Sequence, residues 1–180
     1  MVTKFIFAGF GGQGVISMGQ ILALIAMRRG FEVSFMPSYG PEMRGGTANS
    51  TVIVSDKKIA SPITDSIDVL CAMNGSSLEK FSKDVVPGGF IFINSGMIKE
   101  PFTKPSVKSV YLDPKKMALA LGNEKVANVV MLGAVLSEIN IMETGNMDDI
   151  LEYIFQGKSD DIVSLNKEAI SLWEKEKHRL

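Results

Sequence analysis

The stretch from Lys4 to Met36, KFIFAGFGGQGVISMGQILALIAMRRGFEVSFM, decides the fold class. KFIFAG is an apolar run short enough for a buried strand, and a glycine-rich turn follows it. VISMGQILALIAMRR then has helix length and ends at Gly30, while FEVSFM reads as a second strand. Strand, crossover helix and strand form the βαβ unit from which parallel sheets are built. Along the helix, Val15, Met18, Ile21, Leu22 and Ile25 form one apolar stripe, and Ile16, Leu24 and Met27 lie off it. A helix of this kind is covered on several sides or meets a partner. Gly19, Ala23 and Ala26 follow at helical spacing and permit close backbone approach.

Downstream, TANSTVIVS, IDVLCAM, GGFIFIN and SVKSVYL read as strands, with SSLEKFSKDV a short amphipathic helix between the second and third of these. PKKMALALG, KVANVVMLGAVLSEIN, MDDILEYIF and DDIVSLNKEAISLWEKEKHRL read as helices. The fold class expected is α/β: a Rossmann-like three-layer domain with a mostly parallel central sheet and a helical C-terminal part. Residues 1–180 suit a single domain, with a helical extension from about residue 142. In VANVVMLGAVL (126–136) only Asn128 is strongly polar, which fits a central helix with a locally satisfied Asn or a helix packed against another polypeptide.

Charge narrows the classes of partner. With 19 Lys and Arg against 20 Asp and Glu, the net charge of −1 gives no field to gather nucleic acid or coat an anionic membrane. The longest apolar stretch falls short of the roughly 20 residues that span a bilayer, and the N-terminus lacks a signal-peptide h-region. A soluble, cytoplasmic protein is expected. Cys71 is the single cysteine and His178 the single histidine. The first reads as a small core residue and the second as a solvated tail residue, so neither a metal nor an iron–sulfur cluster is expected on this chain.

Gly9, Gly11 and Gly14 match G-x-G-x-x-G after a strand and before a helix, the setting of a dinucleotide site. Such a site also needs an acidic residue at the tip of the second strand, to hold the ribose hydroxyls. Counting from Gly30, that tip is Pro37, which has no carboxylate, and Glu32 lies at the opposite end of the strand. A bound NAD or NADP is therefore not expected. A glycine turn at a positive helix N-terminus can still receive a phosphate, a carboxylate or a neighbouring chain, with Gly12 and Gln13 presenting a flat hydrogen-bonding surface. Anion or partner docking and a purely structural turn are the two uses open to it.

A second unusual segment, PSYGPEMRGG (37–46), places Tyr39, Glu42 and Arg44 among Gly40, Gly45 and Gly46. Ligands lodge at the carboxyl ends of strands in open α/β sheets, so this loop is expected to share an edge with GFGGQG. Its composition fits a site, and also an ordered surface loop in which Glu42 and Arg44 pair. No nucleophile–base grouping is visible, nor a G-D-G pattern with downstream Asn for thiamine diphosphate and magnesium. No catalytic residue is assigned.

Taken together, GFGGQGV and SYGPEMRGG resemble the gamma subunit of the 2-oxoacid:ferredoxin oxidoreductases. The resemblance continues through VIVSDKKIASP, the strand around IDVLCAMN, and ANVVMLGA, and fades after about residue 140. The form YGPE-x-RGG is similar to the 2-oxoglutarate type and its branched-chain relatives. Pyruvate-type subunits tend to carry an FGxERRGAP-like version and indolepyruvate-type ones an HGxxQRGG-like version.

The resemblance implies a complex that decarboxylates 2-oxoglutarate on thiamine diphosphate with Mg, passes electrons through an iron–sulfur cluster to ferredoxin, and delivers the acyl group to coenzyme A. The thiamine and cluster chemistry would sit on alpha, beta and delta subunits. This chain would contribute assembly and coenzyme A binding, through Gly9, Gly11, Gly12, Gln13, Gly14, Tyr39, Glu42, Arg44, Gly45 and Gly46. Isolated, it is expected to be inactive and could form a homo-oligomer through its partner face. A free-standing Rossmann-like nucleotide-binding enzyme or sensor, and a ligand-free assembly scaffold, are the alternatives.

Overall fold

The computed structural model describes residues 1–40, 46–139 and 147–177. The chain divides into two compact units, Met1–Leu112 and Asp113–Leu180.

The first unit is a six-stranded sheet with helices on both faces. Its elements are β1 (Val2–Phe10), α1 (Val15–Arg28), β2 (Glu32–Tyr39), β3 (Thr47–Ser55), β4 (Ile67–Ala72), α2 (Gly75–Phe81), β5 (Val85–Asn94) and β6 (Lys108–Leu112). The strand order is β2-β3-β1-β4-β5-β6. β1, β4, β5 and β6 are mutually parallel, while β3 runs antiparallel to both β1 and β2. β2 therefore points the same way as β1, but β3 is inserted between them. The opening βαβ unit exists in direction and not in adjacency, because the chain turns back after β2 and fills the vacant place beside β1.

Alternation along β1 builds the two sides of the sheet. Phe5 and Phe7 stack on one face at 6.4 Å. α1 lies on that side: Ser50, level with Phe7 in the β1–β3 ladder, donates from Oγ to the Val15 carbonyl at 2.8 Å. Gly19 permits the approach, since a Cβ there would collide with Ser50 Oγ and come within 3.1 Å of the Phe35 ring. Ile6 and Ala8 point to the other face, where they join Leu70, Ala72, Ile91, Ile93 and α2's Leu78 in one buried cluster. The α1 stripe Val15, Met18, Ile21, Leu22 and Ile25 is buried, and Met27 is exposed.

β2 extends beyond the expected end at Met36, through Pro37 to Tyr39. It is an edge strand, and proline is tolerated on an edge when its missing N–H would face away from the neighbour. Gly40 N–H donates to the Thr47 carbonyl at 2.6 Å. Hydrogen-bonded pairs alternate along an antiparallel ladder, so Gly40, Ser38 and Met36 face β3, and the Pro37 nitrogen faces outward.

The second unit contains α3 (Pro114–Ala120), α4 (Ala127–Ile139), α5 (Met147–Ile154) and α6 (Asp160–Glu176). α3 begins with Asp113 accepting from Lys116 N–H at 2.9 Å and with Pro114 in the first turn. Eight consecutive α4 residues, Val129–Leu136, are buried. α4 and α6 approach at Gly133, where a Cβ would strike the Ile170 carbonyl. At their C-terminal ends Trp173 Nε1 donates to Glu138 at 3.1 Å, and Lys177 bridges Ser137 and Glu174. No described helix is long and apolar enough to cross a membrane.

Candidate functional site

The glycine turn sits at the carboxyl end of β1, and each residue in it has a separate physical task. Gly12 and Gly14 take φ of +96° and +73°, which other residues adopt only under strain. Gly14 is also the N-cap of α1 and, being glycine, brings no side chain of its own to the first N–H groups of the helix. Gly9 has a conventional backbone but no room: a Cβ would lie 2.6 Å from Gln13 Oε1 and 2.9 Å from both Met73 Cβ and Val15 Cγ1.

Gly11 carries the connection between the two loops. Its N–H donates to the Gly46 carbonyl at 2.9 Å, continuing the β1–β3 ladder one rung past Phe10 and Thr47. Gly46 ends the second segment, and Tyr39 and Gly40 stand across Ala48 and Thr47. The expected shared edge is therefore present, joining Gly9, Gly11, Gly12, Gln13, Gly14, Tyr39 and Gly46. Gly12 and Tyr39 are exposed on it. Glu42, Arg44 and Gly45 lie outside the described residues.

Gln13 behaves differently from expectation. Its amide is turned inward: Oε1 accepts from Phe10 N–H at 2.7 Å and from Asn74 Nδ2 at 3.2 Å, while Nε2 donates to the Met73 carbonyl at 3.2 Å. It is a strut inside the edge, so the expected amide surface beside Gly12 is corrected to bare backbone. Asn94 Nδ2 donates to the same Met73 carbonyl at 3.1 Å, and Asn74 Oδ1 caps α2 through Ser77 N–H at 2.9 Å. Asn74 and Asn94, both buried, went unmarked in the sequence reading. Their signal was an Asn closing an apolar strand before a Gly- or Ser-rich turn, in CAMNGSS and FINSG.

The ribose anchor of a dinucleotide site is missing for a reason beyond Pro37. β3 occupies the place beside β1, so the tip of β2 stands two strand spacings from the turn, about 10 Å away. Among the described residues, the neighbours flanking the turn include Thr47 and Asn74, neither of them acidic.

The Cys71 thiol is fully buried on β4, and burial alone pushes its pKa up, holding it protonated and unreactive. Among the described residues no cluster of three or more His, Cys, Asp or Glu could hold a metal ion. Asp56, Lys115, Glu124 and Lys167 are shifted through surface contacts. The N-terminal ammonium lowers Asp56; Lys115 and Glu124 shift each other in favour of the charged forms; Glu152 raises Lys167. None of these is a turn residue.

The sequence profile described as pyruvate ferredoxin/flavodoxin oxidoreductase matches residues 4–172. Ketoisovalerate oxidoreductase subunit VorA of Methanothermobacter thermautotrophicus is 36% identical over 94% of this chain, which spans 36% of that relative. The chain thus covers about a third of the length of that protein. The 2-oxoglutarate synthase subunit KorC of Methanocaldococcus jannaschii is 31% identical over 83% of this chain and 82% of its own length. Among solved structures, the gamma subunit of a keto/oxoacid ferredoxin oxidoreductase from Geobacter sulfurreducens superposes with a TM-score of 0.81, at 27% identity and 99% coverage of both chains. The 2-oxoglutarate:ferredoxin oxidoreductase of Magnetococcus marinus, with 2-oxoglutarate, coenzyme A and succinyl-CoA bound, superposes at TM-score 0.87 and 28% identity, covering 99% of this chain and 31% of that one.

Proposed function

The chain belongs to the pyruvate ferredoxin/flavodoxin oxidoreductase family, and from that premise we propose that it is the gamma subunit of a cytoplasmic 2-oxoacid:ferredoxin oxidoreductase. In this reading residues 1–180 form one gamma-type domain that assembles with alpha, beta and delta subunits. Those chains carry the thiamine diphosphate, Mg and iron–sulfur chemistry and pass electrons to ferredoxin. This chain contributes assembly and a docking edge for coenzyme A.

The observation that carries the coenzyme A role is the Gly11–Gly46 hydrogen bond, which brings the ends of both glycine loops to one edge beside the N-terminus of α1. Gly12 leaves the backbone uncovered, with open space where a Cβ would stand. Backbone N–H groups at a positive helix end suit a phosphate, and Arg44 supplies a cation from the companion loop. When bound, coenzyme A supplies the thiol that takes the acyl group. The chain's own part is to hold the phosphate end of that carrier.

2-Oxoglutarate is the substrate we assign, on the YGPE-x-RGG motif and the similarity to KorC. The 36% identity to VorA favours a branched-chain 2-oxoacid such as ketoisovalerate as the second reading.

Anaerobic purification from the native source, with identification of the co-purifying chains, tests the assembly. Ferredoxin reduction assayed in parallel with 2-oxoglutarate, ketoisovalerate and pyruvate, with and without coenzyme A, assigns the substrate. A lone chain carrying a dinucleotide would instead identify a free-standing Rossmann-like sensor. Calorimetry on the intact complex tests the docking edge: Arg44→Ala and Gly12→Asp should both weaken coenzyme A binding, and unchanged affinity in both would remove that role.

A further inference from the structure

β1 and β4 are parallel neighbours, yet α1 and α2, which follow them, lie on opposite faces of the sheet. In a doubly wound sheet such a reversal opens a crevice at the carboxyl ends of the two strands, and ligands lodge there. In this protein a side chain of the chain itself lies across it. From the β1–α1 turn, Gln13 reaches to the β4–α2 turn, spans Phe10 N–H, Asn74 Nδ2 and the Met73 carbonyl, and joins the two turns.

Two further features match a built plug. Gly9 is the residue whose Cβ would displace the Gln13 amide oxygen, so the glycine makes room for the glutamine. Asn94, from the end of β5, meets the same Met73 carbonyl from the far side, so polar side chains span the crevice from β1 to β5. Every hydrogen bond of this group is made between buried or half-buried partners, which is the arrangement that rigidifies a polar network.

We infer that Gln13 is a specificity-determining plug: it closes the β1–β4 crevice to dinucleotides and confines ligand recognition to the β1–β3 side, around the exposed Gly12. The same glycine pattern that admits a pyrophosphate in a dinucleotide fold is here occupied by a protein amide. The inference rests on the coenzyme A reading only for the identity of the ligand on the open side.

Amide hydrogen exchange in the full chain tests the plug without any ligand. Phe10 N–H should exchange slowly, and Gln13→Met and Gln13→Ala should each speed it by about tenfold, the equivalent of one lost hydrogen bond. Gln13→Met keeps the length of the side chain, so retained far-UV circular dichroism separates loss of the bridge from loss of the fold. Phe10 exchange unchanged in both variants would overturn the plug.

In the purified complex, saturating coenzyme A should slow exchange at residues 10–12 and 46–47 and leave residues 73–77 as they are. Protection at 73–77 would place the ligand in the crevice and also overturn the plug. Should coenzyme A protect no part of this chain, the coenzyme A role falls, and the plug is decided by Phe10 exchange alone.

Discussion

The Gly11 N–H donates to the Gly46 carbonyl at 2.9 Å, one rung beyond the Phe10–Thr47 pair that ends the β1–β3 ladder. Two loops that are 35 residues apart in the chain are thereby held as one edge. The bond uses the Gly11 donor internally, which leaves Gly12 as the exposed residue of the motif.

Gly12 separates backbone strain from charge. Gly12→Ala places a side chain in open space at φ +96°, so it should cost about 1–2 kcal/mol of stability and leave coenzyme A binding to the complex largely intact. Gly12→Asp adds a negative charge beside a helix N-terminus whose pull on an anion is worth about 1 kcal/mol, so affinity should fall a further fivefold or so. Thermal unfolding and calorimetry on the two variants measure the two effects independently.

Gly9→Ala meets the opposite problem, an ordinary backbone with no space. The added methyl would press on the Gln13 amide, Met73 and Val15 together, and overpacking of this kind costs about 1–3 kcal/mol. The melting temperature should fall, and exchange at Phe10 should rise with it. Wild-type exchange at Phe10 in Gly9→Ala would show that the strut tolerates the methyl.

Gly133→Ala tests the α4–α6 contact. The methyl would be driven against the Ile170 backbone carbonyl, which cannot step aside as a flexible side chain can. A loss of about 2–3 kcal/mol is expected in denaturant titration. A loss below about 0.5 kcal/mol, the scale of an ordinary surface change, would show that the two helices are not held at this separation.

Pro37→Thr should promote self-association. β2 is an edge strand, and Pro37 is where the outward row of N–H donors is interrupted. Threonine restores the donor and favours the strand, so sedimentation velocity should show a concentration-dependent larger species that the wild-type chain lacks under the same conditions.

Cys71 should resist thiol reagents in the native chain and react promptly on unfolding. Its side chain is completely buried and burial raises the thiol pKa, so the reactive thiolate is suppressed at neutral pH. Labelling with a disulfide reagent, with and without denaturant, checks this. Rapid native labelling would mean that β4 opens locally.

Much of the fold was legible in local pattern. The apolar runs of β1, β4 and β5 and the stripe of α1 each identify an element from neighbouring residues. What misled was order: a helix between two strands suggests adjacent parallel strands, and nothing in FEVSFM or TANSTVIVS says that the second inserts beside β1. Pro37 likewise reads as a strand end until the edge position removes the need for its N–H.

At the glycine turn the sequence by itself determined where backbone is bare and where left-handed conformation is required, because only glycine supplies these at Gly12 and Gly14. It also determined that GFGGQG and YGPEMRGG lie at strand ends. The tertiary structure alone decided which way Gln13 points, since its three partners come from Phe10, Met73 and Asn74, two of them about sixty residues away. A side-chain amide has the same donors and acceptors whether it faces solvent or closes a crevice. The difference lies in the partners that the folded sheet brings within reach, and here they turn a nucleotide-like fingerprint into a closed crevice beside an open edge.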